Sequence, residues 1–120
     1  MANEITVKPF MRLDNANLKL TISPGTSTYD QAAAGYYHNV SSIATSEESI
    51  GTFGDVATEG WCYIRNSDVL NYVQIGFATG VYGMRLEAGE TANFRCEPGL
   101  TLYLKSNTAP TLVEILVLED

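Results

Sequence analysis

From Gly60 onward the chain is a succession of short segments in which apolar and polar residues alternate, each closed by turn-forming residues: GWCYIRN, NYVQIG, YGMRLEAGE, ANFRC, LTLYLKSN and LVEILVLED. A period of two sends successive side chains to opposite faces of an extended strand, so each segment is written to bury one face and wet the other. Segments this short, with Gly, Asn, Asp and Pro at the corners, point away from a helical or α/β design and toward an all-β antiparallel sandwich. With 120 residues, 45% hydrophobic and 18% charged, the chain has the size and composition of one globular domain. A single β-sandwich domain over residues 1–120 is expected.

The same alternation opens the chain. Ile5, Val7, Met11 and Leu13 fall on one parity and Thr6, Lys8 and Arg12 on the other, with Phe10 interrupting the polar side. Beyond the turn cluster Asp14-Asn15-Ala16-Asn17, Leu18, Leu20 and Ile22 alternate with Lys19 and Thr21, which predicts a β-hairpin. Residues 23–35 mix Pro, Gly, Ser and Thr with a short alanine run too brief for a helix, and read as a long surface loop.

The sharper pattern follows in the second half. Trp61, Tyr63 and Arg65 share one face of a strand and Cys62 and Ile64 the other; Val73, Ile75 and Phe77 line the next, and Leu100, Leu102 and Leu104 point inward further on. The segment from Leu112 to Leu118 is apolar on both parities except at Glu114, which implies a strand whose second face is also covered. Roughly eight to ten strands in two sheets, with a jelly-roll order favoured over an immunoglobulin-like one, suit this spacing.

Chemistry is scarce. His38 is the sole histidine, and neither Cys62 nor Cys96 belongs to a CxxC, so zinc and cupin-type centres lack their ligands. Glu47 and Glu48 are adjacent and would face opposite ways on a strand, while Glu119 and Asp120 stand at an end where fraying is expected. Calcium at Asn66-Ser67-Asp68 competes with a plainer reading, side chains bonding their own turn. No GxSxG elbow accompanies the serines, and the glycine spacings around Gly76, Gly80 and Gly83 precede no helix that could hold phosphate. Catalytic, cofactor and metal residues are therefore all expected to be none, although two acids meeting in space for glycoside hydrolysis is a pattern no sequence excludes. The cysteines are expected to be buried free thiols.

Fourteen acidic residues against seven basic ones give a net charge of −7, with no cluster of bases, which disfavours nucleic acid and anionic membrane as partners. No apolar run approaches the ~20 residues of a membrane helix, and MANEITVKPF lacks the charged and apolar regions of a secretory signal. The Asn39-Val40-Ser41 sequon carries no weight without export. What remains is aromatic surface. Phe10, Tyr29, Tyr36, Tyr37 and Trp61 are candidate contact residues, joined by Leu112, Val113, Ile115 and Val117 of the final strand.

The second half, from Gly60-Trp61-Cys62-Tyr63-Ile64-Arg65-Asn66 through Asn71–Gly76, Leu86–Glu90 with Phe94-Arg95, and Pro98–Lys105 to the apolar last strand, resembles small β-sandwich virion proteins of tailed bacteriophages. That resemblance covers about half the chain. It implies a non-enzymatic structural protein, above all a capsid decoration or cement protein bound to the major capsid protein or other virion proteins, assembled in the host cytoplasm. A homo-oligomer, dimer or trimer, is the accompanying expectation. The alternative is a tail or fibre β-domain that binds host-surface carbohydrate or a receptor through exposed aromatics.

Overall fold

The computed structural model describes residues 3–120 and divides into two compact units, Met1–Ala32 and Ala33–Asp120. Twelve strands and no helix occur among the described residues.

In the first unit, β1 (Ile5–Val7) pairs antiparallel with β4 (Ser27–Tyr29), and β2 (Met11–Asn15) pairs with β3 (Leu18–Ile22). The expected hairpin is therefore the β2–β3 ribbon, its turn at Ala16-Asn17, where Ala16 takes a φ of 51° in the region glycine prefers. The long loop is interrupted: β4 lies inside it and finds its partner in β1. Residues of low local signal, Ser-Thr-Tyr, become a strand because another strand offers them a ladder.

The second unit holds the other eight strands: β5 (Tyr36–Ile43), β6 (Glu48–Ile50), β7 (Glu59–Asn66), β8 (Val73–Gly76), β9 (Met84–Leu86), β10 (Thr91–Arg95), β11 (Leu102–Ser106) and β12 (Thr111–Glu119). They form two four-stranded antiparallel sheets, ordered β10-β7-β12-β5 and β6-β11-β8-β9. Strand pairs nest: β8 with β9, β7 with β10, β6 with β11 and β5 with β12. That is a long hairpin folded at the β8–β9 connection and rolled into a two-layer jelly roll.

Alternation decides which side chains enter the core. From one sheet come Ile43, Cys62, Ile64, Val113, Ile115 and Val117; from the other come Val73, Ile75, Leu86, Leu102 and Leu104, all buried. Phe53 and Val56, from the β6–β7 connection, join them through an isolated bridge, and Tyr37 packs edge-on against the Phe53 ring at 5.6 Å. Phe77 departs from the expected pattern: beyond the end of β8 it is exposed, and its ring meets Phe94 at 5.8 Å. At Gly76 the backbone of the β8–β9 corner passes so close that a Cβ would stand 1.8 Å from the Val81 carbonyl oxygen, a position only glycine fills.

The buried side chains of Asn66, Glu119 and Glu59 are all bonded. Asn66 has no exposed surface; its Nδ2 donates to the carbonyls of Asn71 (2.8 Å) and Leu86 (3.0 Å), and its Oδ1 accepts the Asp68 amide (2.9 Å). The expected fraying at the last residues does not occur. Glu119 is buried, its carboxylate accepting the Ala57 (2.7 Å) and Thr58 (3.1 Å) amides, while the Asp120 amide donates to the Thr58 carbonyl (2.9 Å). Glu59, equally buried, accepts the Gly99 amide at 2.8 Å. Each carboxylate replaces lost water with backbone donors, which is the condition for burying it at all.

Candidate interaction surfaces

The ionisable residues singled out in the sequence do not converge. Among the described residues no three His, Cys, Asp or Glu side chains stand close enough to hold a metal ion. His38 lies on the outer face of β5, its Nε2 2.8 Å from Glu114 on the neighbouring β12. Asp68 caps its own turn, Oδ2 accepting the amides of Asn71 (2.7 Å) and Leu70 (3.0 Å), and these donors hold its carboxyl below the usual range. The plainer reading of that turn is the one the geometry satisfies. Glu47 is drawn below its ordinary value by the Tyr82 hydroxyl (2.5 Å) and the Gly80 amide (2.7 Å), and the same bond pushes the Tyr82 phenol up to about 12. Cys62 and Cys96 are free and buried; their mutual hydrogen bond and burial raise the Cys62 thiol. These contacts fasten corners.

Two surfaces stand out instead. The first is the outer face of the β10-β7-β12-β5 sheet. Odd positions of β12 point inward, so Leu112, Glu114, Leu116 and Leu118 point out, beside Tyr36, His38 and Val40 of β5 and Trp61, Tyr63 and Arg65 of β7. Pairing sets them in rows across the sheet: Val40, Glu114 and Arg65; then His38, Leu116 and Tyr63; then Tyr36 and Leu118, with Trp61 at the neighbouring β7 position. Tyr36 is 66% exposed and Leu112 49%, while Leu116, Leu118, Trp61 and Tyr63 are half-buried. A row of rings and aliphatic chains on a twisted but continuous sheet face makes a broad apolar platform with a charged margin.

The second surface is the β2–β3 ribbon. Cross-strand partners share a face, so the register Met11 to Ile22, Leu13 to Leu20 and Asn15 to Leu18 gathers five aliphatic side chains on one side. The other side carries Arg12, Asp14, Lys19 and Thr21, with Asp14 bonded to Arg12 (2.9 Å) and Lys19 (2.6 Å). The aliphatic five are exposed, from 48% at Leu13 to 75% at Met11. Full burial of such a side chain contributes roughly 1.5–3 kcal/mol, so on the order of 5 kcal/mol of hydrophobic driving force stands unused on this face. A two-stranded ribbon has no second layer of its own to claim it.

The residues expected at an interface separate accordingly. Phe10, Tyr29, Tyr36 and Leu112 are exposed, and Trp61 stands half-buried on the outer sheet face. Val113, Ile115 and Val117 are fully buried in the jelly-roll core, because their parity in β12 is the inward one, and Tyr37 sits on that side too, against Phe53. On the outward parity of β12, Leu112 is exposed and Glu114, Leu116 and Leu118 are half-buried. Met11, Leu13, Leu18, Leu20 and Ile22, whose alternation predicts a hairpin, are all exposed. The signal for that exposure is that eight strands already complete the sandwich. Comparison of the chain with protein-family models, with curated proteins and with solved structures returns no match.

Proposed function

We propose that this chain is a non-enzymatic structural subunit of a tailed-phage virion, a capsid decoration or cement protein that holds neighbouring shell subunits together by protein–protein contact. The observation that carries the reading is the placement of apolar side chains: the jelly roll closes its core with one set, and a second set, on the ribbon and the outer sheet face, is displayed outward. Displayed apolar faces of this kind suit contact with other proteins rather than turnover of a small molecule. An acidic body with its few cations scattered supports the same partner class, since it offers nothing to a phosphate backbone.

Cementing strength then comes from many copies, each bridging neighbours with modest area, so that avidity multiplies weak contacts. The test compares purified particles with and without the protein. Particles carrying it are expected in hundreds of copies by gel densitometry and to withstand heat and low salt longer; equal stability of the two particle types sinks the reading. A tail or fibre domain binding surface carbohydrate is the second reading, favoured by Tyr36, Tyr63 and Trp61 standing on one sheet face, where rings stack well on sugars. Specific glycan-array binding lost in Trp61→Ala, together with few copies per particle, would choose it over cementing.

A further inference from the structure

We propose that the apolar face of the β2–β3 ribbon of one copy docks on the outer face of the β10-β7-β12-β5 sheet of a second copy, closing a dimer or trimer. This deepens the assembly reading, and rests on taking these two faces as contact surfaces; it does not require the shell.

Three observations select a second copy of this chain as the occupant. The first is that both halves of the contact are present on it: a ribbon face built from Met11, Leu13, Leu18, Leu20 and Ile22, and a sheet face whose centre is Leu116 and Leu118 between Tyr36 and Tyr63. Aliphatic side chains from a narrow ribbon fit among rings and leucines as two β layers pack.

The second is charge. Residues 33–120 carry eleven acidic side chains against four basic ones and hold the whole net charge of −7, whereas residues 1–32 carry three of each. Two acidic bodies meeting face to face repel, but a neutral ribbon meeting an acidic body does not, and the ribbon itself bears Arg12 and Lys19 against Asp14 alone. The contact is therefore heterologous, ribbon to body, rather than body to body.

The third is area. Five aliphatic side chains at this exposure offer on the order of 500 Å² of surface, below the ~800 Å² that each partner gives to a stable interface. In a closed dimer or trimer every copy contributes both a ribbon and a sheet face, which doubles what it buries, and a polar rim of the usual share brings the total into range. Closure also prevents a head-to-tail contact from running on into a fibre.

The experiment uses the purified full chain in light scattering coupled to size exclusion, with circular dichroism confirming that each variant is folded. Wild type is expected as a closed dimer or trimer. Leu20→Glu on the ribbon and Tyr36→Glu on the sheet face are each expected as monomers, both sites being exposed and tolerant of polarity. Mixing the two variants joins an intact ribbon to an intact face, and a complex containing one chain of each is expected by native mass spectrometry. A monomeric wild type overturns the proposal, as does a folded variant that keeps the wild-type mass. A mixture that stays as separate monomers also overturns it, since an intact ribbon and an intact face would then be present together and fail to meet. Particle stability is measured separately, so a monomer here and a failed cement reading there are distinct results.

Discussion

The strand β12 and the ribbon strands β2 and β3 are written in the same alphabet of alternating aliphatic residues, yet one buries Val113, Ile115 and Val117 completely and the other leaves Met11 and Leu18 open. The difference lies in what stands opposite. β12 runs between β5 and β7 in a four-stranded sheet with a second sheet beneath it, so each inward side chain meets a layer already in place. The ribbon pairs only with itself, two strands wide, and its aliphatic face looks outward. Alternation therefore announces a face that gains from being covered, and topology decides whether the cover comes from within the fold.

That contrast can be broken from either side. The largest effect is expected at Ile115, at the centre of the core: Ile115→Ala should cost about 2–5 kcal/mol of unfolding free energy in urea titration, and a cost below about 1 kcal/mol would show the core to be far looser than its burial indicates. Gly76→Ala comes next, since the added methyl would meet backbone that must shift; about 1–3 kcal/mol is expected, read as a lower midpoint at unchanged slope.

A smaller effect concerns the Glu47–Tyr82 corner. Because the folded phenol ionises near 12 rather than 10, its hydrogen bond adds stability that is complete below pH 10 and is lost as the pH climbs through 12. Tyrosinate absorbance should show one late-titrating tyrosine, which in Glu47→Ala moves back toward 10 and takes the extra alkaline sensitivity of the melting temperature with it. The smallest is expected on the ribbon. Leu20→Ser should change unfolding free energy of the dilute chain by no more than about 0.5 kcal/mol, and a loss comparable with that at Ile115 would erase the distinction between the two regions.

Much of the body was legible in advance, for identifiable reasons. Trp61, Tyr63 and Arg65 fell on the opposite face from Cys62 and Ile64 because polar and apolar residues alternate cleanly there, and the jelly-roll order follows from eight strands of that kind. The last strand was harder. Its outward leucines differ among themselves, Leu116 and Leu118 half-buried and Leu112 exposed, a distinction that an all-apolar text does not carry. The β4 segment and the buried Asn66 were hidden for a different reason. Pairing of β4 with β1 more than twenty residues away, and the bond from Asn66 to the Leu86 carbonyl twenty residues on, are properties of the assembled chain, invisible to any local window.

The nested pairing has a consequence for how such a molecule comes to exist in a cell. A nascent chain that has emerged as far as Pro110 has made β5 and β7 but not the strand that lies between them, so that sheet has a gap where its middle belongs. The nine-residue strand β12 must slot into that gap after the seven body strands that precede it in the chain, which makes formation of the body a late, all-or-none event. A premature stop within those residues would remove the middle of a sheet rather than trim its edge, so the body has no partially useful shorter form.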